Sequence, residues 1–439
     1  MKILNKFKII SLALILSSAS LLSQTFGGGS GTYYDPYLIS NKAHWDELVY
    51  WVNVEGESFK ADNFKLTDNI GSRVDPVTET VGTDNQYEWF AGHLDGGNYT
   101  ITVNISSSNM YVGLFAQLGE GSSIVNLNVI GQIQPTNSIY VGAIVGYDWG
   151  SNIDNCHNFA EINGIATHTG GVVGFTAGNI HNCSNNAQIQ IFGTYCYIGG
   201  LVGIISNTIH NCINNGQISG TGDCVYAGGV AGQASNMNEC INNGSIQITG
   251  DYCCIGGIVV ETYTIHNCTN NAKIQMSGDY CYIGGVARYG TNIYNCNNFA
   301  EIKATSNSNV GGIVTFAACT VSYCINRGSI EVDLSNNLLL PIFSIGGIVS
   351  IAYPGIPDLF IEDCFNYGDI IGNDNIGGML GLGTASITDC FNYGDIIGND
   401  CIGGIVGARS SVGGVSISGC FNNGMLIGNS NVSGMIGCP

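Results

Sequence analysis

Basic residues are scarce: the 439-residue chain carries 12 Lys and Arg against 32 Asp and Glu, a formal charge of −20. Three of the twelve, Lys2, Lys6 and Lys8, stand at the extreme N-terminus. A nucleic-acid surface needs a basic footprint, so nucleic acid is excluded as a partner. Charged residues of both signs amount to only 10%, yet Ile, Val and Tyr are plentiful, which separates the chain from disordered sequences. No Cys-x-x-Cys pair and no His-Glu-x-x-His motif occurs. Zinc ribbons, thioredoxin-type sites and that class of metallopeptidase therefore have no support. The usual calcium-loop spacings are missing too.

Residues 1–24 read as an export leader. Met1 to Lys8 is basic, Ile9 to Leu22 is apolar, and Ala19, Ser20 and Ser23 supply small residues near a cleavage point. The apolar run is short for a membrane span, and no cysteine beside it accepts a lipid. The mature chain has no second long apolar run. It is expected to be extracellular or at the cell surface, with no transmembrane segment.

Glycine, in contrast, is abundant, with 64 copies, and much of it is periodic. A Cys-x-Asn element recurs at Cys156, Cys183, Cys212, Cys240, Cys268, Cys296, Cys324, Cys364, Cys390 and Cys420. A paired-glycine element keeps the same step of about 28 residues from Gly170 through Gly199 and Gly228 to Gly403. Within each repeat, positions such as Cys212, Asn214, Gly216 and Ile218 alternate with polar neighbours, the period of a strand with one buried face. Equivalent strands in successive repeats pair in parallel and in register, roughly 4.8 Å apart. The expected fold is all-β: a parallel β-helix, three-sided and right-handed, with eleven or so coils over residues 113–439. Residues 25–112 lack the repeat. They are expected to form a small α+β cap, with Ser40 starting a helix that carries Trp45, Leu48, Trp51 and Val52.

Eighteen cysteines in an exported protein suggest a disulfide framework. Their repetition at one place per coil suggests instead small apolar fillers, mostly free thiols, because stacked neighbours sit too far apart for a relaxed bridge. The Asn column from Asn158 to Asn422 is expected to hydrogen-bond along the stack.

Gly-Gly-Leu-Val-Gly at Gly199 to Gly203 and Gly-Gly-Ile-Val-Gly at Gly403 to Gly407 resemble the GLUG motif of bacterial surface proteins. The stretches Gly31 to Ser40, Phe64 to Ile70 and Leu94 to Ile101 resemble the region that often precedes such repeats. The resemblance implies an extracellular, adhesin-like β-solenoid. Some relatives carry the module beside a peptidase that cleaves immunoglobulin A; without His-Glu-x-x-His that activity does not carry over.

Four side-chain sets remain as candidates. Tyr195, Tyr252 and Tyr280 lie four residues before the paired glycines, and Tyr140, Tyr197, Tyr226 and Tyr282 lie two before. Both positions are expected on one outward strip, which either stacks on sugars or protein partners or packs on its own copies. Twelve extra residues between Cys324 and Cys364 add Phe343 and Tyr353 on a protruding segment. Asp223, Asp251 and Asp279 stack as turn residues or as a catalytic trio. Asp363, Asp369 and Asp374 stack on Asp389, Asp395 and Asp400, screened by solvent or bridged by calcium. His181, His210 and His266 share a further column. The leading expectation is a non-enzymatic adhesin-like protein that binds host or community glycans or extracellular proteins through side-chain ladders, with no cofactor, calcium at the stacked Asp pairs being the one alternative. The alternatives are a carbohydrate-active β-helix enzyme using stacked Asp residues, and a passive spacer.

Overall fold

The residue before every column cysteine must turn the chain sharply, and it does so in the left-handed region: Asn155, Asn182, Asn211, Asn267 and Asn295 have φ between 49° and 54°. Asn tolerates this conformation because its short polar side chain bonds locally. The cysteine then points inward, and the Asn two residues on turns its amide into the core. Asn214 shows the full pattern. Its Nδ2 donates to the Gly216 carbonyl at 2.9 Å and to Asn242 Oδ1 at 2.9 Å, while its Oδ1 accepts from Gly216 N–H at 3.2 Å and from Asn185 Nδ2 at 2.9 Å. The ladder runs unbroken from Asn158 to Asn422 with links of 2.7–3.0 Å. A buried amide is costly unless paired, and here each pairs with its own repeat.

The computed structural model describes residues 24–439, except 86, 306, 334–342, 353–358, 411–413 and 439. It is a parallel β-solenoid of about 14 turns, with about 28 residues per coil. One coil serves as the pattern. Ile213–Asn214 and Ile218–Thr221 form an asparagine face, Tyr226–Gly228 a tyrosine face, and Ala231–Asn238 a broad face. Each pairs in register with its equivalents one coil away, as Ile218 does with Ile246, Tyr226 with Cys254 and Met237 with Ile265. The paired glycines make the corner between the tyrosine and broad faces. A Cβ on Gly229 would lie 2.0 Å from the Gly257 carbonyl oxygen and 2.5 Å from the Asn242 amide.

The stacking of coils does not begin at residue 113. Tyr37–Ile39 pairs with Asn63–Leu66, that strand with His93–Asp95, and that one with Ser123–Val125 on the broad face, so residues 25–112 already coil with the rest. The covering element is one helix, α1 (Lys42–Asn53), which buries Trp45, Leu48 and Val52 over the first coils. Its N-cap is Asn41, not Ser40: Asn41 Oδ1 accepts from His44 N–H at 3.1 Å, while the Ser40 amide and hydroxyl face the His44 ring. Below the helix an aromatic plug fills the first turns, with Trp45 5.7 Å from Phe115 and Phe90 5.2 Å from Phe115.

Sixteen cysteines are free thiols, most of them buried, as the repeated positions suggest. The exception is a bridge between Cys401 and Cys438, with Cα atoms 4.9 Å apart, which ties the last strand to the coil before it. The export leader lies outside the described residues apart from Gln24, and so do Tyr353 and most of the insertion; Phe343 is described.

Candidate ligand-binding corridor

The expected tyrosine strip resolves into two separate ladders. Tyr195, Tyr252 and Tyr280 occupy the turn before the tyrosine face, with left-handed φ of 55°, 57° and 58°. Tyr195 is 69% exposed. Tyr252 stacks on Tyr280 at 5.2 Å, and Phe343 approaches Tyr280 at 6.1 Å. Tyr197, Tyr226 and Tyr282 lie two residues later on extended strand and are half-buried. In-register pairing forces their rings into a continuous stack: Tyr140 on His168 at 4.8 Å, His168 on Tyr197 at 5.5 Å, and Tyr197 on Tyr226 at 4.6 Å. Cys254 takes the next position and Tyr282 resumes the column.

The broad face supplies a second wall. Tyr147 lies 5.1 Å from Tyr140 and 5.1 Å from Tyr111, stacks on Phe175 at 4.7 Å, and touches Trp149 at 4.9 Å. Rings from two faces meet because those faces form an inside corner, and glycine permits it: a Cβ on Gly174 would lie 2.5 Å from the Val141 amide nitrogen. The result is a half-buried aromatic corridor running along the solenoid axis. Its tyrosine-face members were legible as a column. His168 has the same spacing, two residues before Gly170, and escapes only a search confined to tyrosine; Tyr147, Phe175 and Trp149 were not legible, since nothing in the spacing says that two faces turn toward each other.

Burial sets the protonation of the corridor. It pushes the Tyr111, Tyr147 and Tyr197 hydroxyls above their ordinary range, and Tyr226 up to about 12, with Cys254 and Tyr197 adding to the effect. It lowers His168, against a backbone hydrogen bond to Ile139. The stack therefore holds His168, Tyr197 and Tyr226 as neutral rings at neutral pH. Its charge sits at one place, where Arg288 Nη1 meets Glu261 Oε1 at 3.2 Å. The Arg288 guanidinium lies 5.4 Å from the Tyr282 ring centre and 5.1 Å from that of Phe316.

The other candidates are occupied by the architecture. Asp223 Oδ1 accepts the Asp251 amide at 3.0 Å, and Asp251 Oδ1 the Asp279 amide at 2.8 Å. Asp369 does the same for Asp395 at 2.9 Å, and Asp374 for Asp400 at 3.2 Å. Like charges tolerate stacking because each carboxylate caps the amide of the next coil. His181 and His210 are neighbours with rings 6.1 Å apart, His210 meets Asn238 at 3.1 Å, and His266 stacks on Tyr294 at 5.0 Å. Asp148 is buried and its carboxyl is pushed up by desolvation, but Thr176 and the Gly150 and Ser151 amides bond it. Among the described residues, Asp400, Cys401 and Cys438 bring three metal-ligating groups within 4.8 Å of one another, two of them sharing the disulfide.

No family model matches the chain. Over 143 residues, 30% of its length, it is 35% identical to a protein of Evansella cellulosilytica named as a Gly-rich membrane protein, and the match spans 15% of that relative. A crystal structure of a Bacteroides ovatus protein described as an immunoglobulin A1 protease aligns with a TM-score of 0.47 at 20% identity, covering 60% of this chain and 87% of that one. Among the described residues, no helix is long and apolar enough to cross a membrane.

Proposed function

We propose that the protein is an exported, GLUG-type surface solenoid that binds glycans through the aromatic corridor, without catalysing a reaction. The observation that carries this reading is the continuous ring stack from Tyr140 to Tyr226 with Tyr147 and Phe175 facing it. Half-buried rings lose little rotamer entropy on binding, and their outward edges line an apolar groove for the C–H groups of sugars while their hydroxyls remain polar handles. A corridor parallel to the axis suits an extended chain, since each coil repeats the platform. The membrane-protein name of the relative accords with a cell-surface location. An enzyme built on Asp223, Asp251 and Asp279 is the weaker reading, because the first two carboxylates are engaged by backbone amides and the third by the Asn307 side chain. The experiment is a glycan array probed with the purified protein and with a Tyr197→Ala/Tyr226→Ala double variant. Selective binding that the double variant loses, with its melting temperature kept, supports the reading. An array without any signal removes it in favour of a spacer.

A further inference from the structure

We infer that Arg288 and Glu261 are the selecting pair of the corridor, and that they favour neutral sugar chains bearing vicinal diols over acidic ones. The inference rests on the glycan reading of the corridor. In the coils before it, the register position of Arg288 is held by Gly146, Gly174, Gly203 and Gly232, then Val260. At these glycines the ring stack is closed. One position of the stack is then given up to Cys254, and the Arg288 side chain extends beside that thiol, opposing the burial that pushes Cys254 up to about 12. The guanidinium thus stands in the ring column next to Tyr282, where a flat cation is favourable.

Its hydrogen-bonding state points to a ligand of defined chemistry. Arg288 and Glu261 side chains are 22% and 34% exposed, so the pair is partly desolvated yet reachable. Nη1 is used by Glu261, and Nε is buried on the protein side toward Cys254, so the part of the guanidinium that a ligand reaches is its outer end. A part-exposed guanidinium edge beside a carboxylate acceptor, held against the Tyr282 and Phe316 rings, matches adjacent hydroxyls on a sugar ring. One hydroxyl accepts from the guanidinium, its neighbour donates to the carboxylate, and the C–H face lies on a tyrosine. A uronate fits worse. The Arg288 charge is already balanced by Glu261, and the chain as a whole carries −20, so an added carboxylate meets repulsion rather than a free cation.

The test is calorimetric titration of the purified protein with cello-, xylo- and manno-hexaose and with oligogalacturonate. The wild type is expected to bind at least one neutral hexaose and not oligogalacturonate. Arg288→Gln should weaken that binding tenfold or more, and Arg288→Lys, which keeps the charge without the fork, nearly as much. Glu261→Gln should weaken neutral binding several-fold and acquire binding of oligogalacturonate, a reversal that a merely structural ion pair would not produce. If Tyr197→Ala/Tyr226→Ala loses the neutral hexaose while the Arg288 and Glu261 variants keep it, the selecting pair is refuted and the corridor stands. If the wild type prefers oligogalacturonate, the selectivity is refuted. If it binds none of the four, both readings fall.

Discussion

At the scale of single residues, two asparagine columns allow one kind of side chain to be compared in two environments. Asn242 is fully buried in the inner ladder, whereas Asn243 links outward to Asn215 at 2.8 Å in solvent. Asn242→Ala strands the Asn214 donor and the Asn270 acceptor, and each buried unpaired group costs about 1–3 kcal/mol. Asn243→Ala is expected to cost at most about 0.5 kcal/mol, as for other surface changes. Chemical denaturation of the two variants should separate them clearly. Tyr226 gives a pH prediction. Its hydroxyl is held at about 12 against an ordinary 10.0, so the folded state keeps a proton that the unfolded state gives up. Stability from this group is full below pH 10 and is lost as pH rises toward about 12. Phenolate absorbance titration should show a late-titrating hydroxyl that Tyr226→Phe removes. An unchanged late phase would assign it elsewhere.

Elements were legible where a side chain is constrained by its own copies. The Cys-x-Asn and paired-glycine spacings announce strands and corners because inward amides and close backbone approach admit few substitutes. Gly229→Ala should therefore be among the most damaging single-methyl changes, since the new carbon meets the Gly257 carbonyl oxygen at 2.0 Å; a loss of about 3 kcal/mol or more is expected. Thermal unfolding against Gly193→Ala checks the steric cause, because that site has open space and bears only the backbone penalty of φ 152°. The first three coils were not legible as coils. They carry no column cysteine or asparagine, and parallel pairing of main chains needs only that Phe64, Leu66 and Leu94 point inward. The turn tyrosines were misplaced for a related reason: spacing of two residues implies a shared face only while the chain stays extended, and a left-handed residue at 195 breaks that count. The inside corner lies further still from the sequence, because contact between Tyr140 and Tyr147 depends on the direction of a glycine bend.

At the scale of the whole molecule, coils touch mainly their neighbours, so stability is close to a sum of repeat and interface terms. The two ends differ. Helix α1 covers the first coils, whereas in the last described coil Cys420, Leu426 and Ile436 are partly exposed although Cys390, Ile396 and Val406 one coil back are fully buried. Hydrogen exchange is expected to be fastest in residues 416–438 and slowest in the middle coils. Reduction of the Cys401–Cys438 bridge should raise exchange in the final strands and leave coils near Asn242 unchanged; a rise throughout the chain would show a single cooperative unit instead.

The asparagine ladder also bears on how such a molecule can vary in length. Each amide accepts the same partner on either side, so one coil can be spliced out or copied without any column amide meeting a stranger, whereas a fractional insertion breaks the chain of amides. Phe365 to Asp374 and Phe391 to Asp400 are letter-for-letter identical, 26 residues apart, which is the trace such copying leaves. The heritable unit of change in this architecture is thus the turn rather than the residue, and corridor length becomes a quantity that recombination can count out in whole numbers.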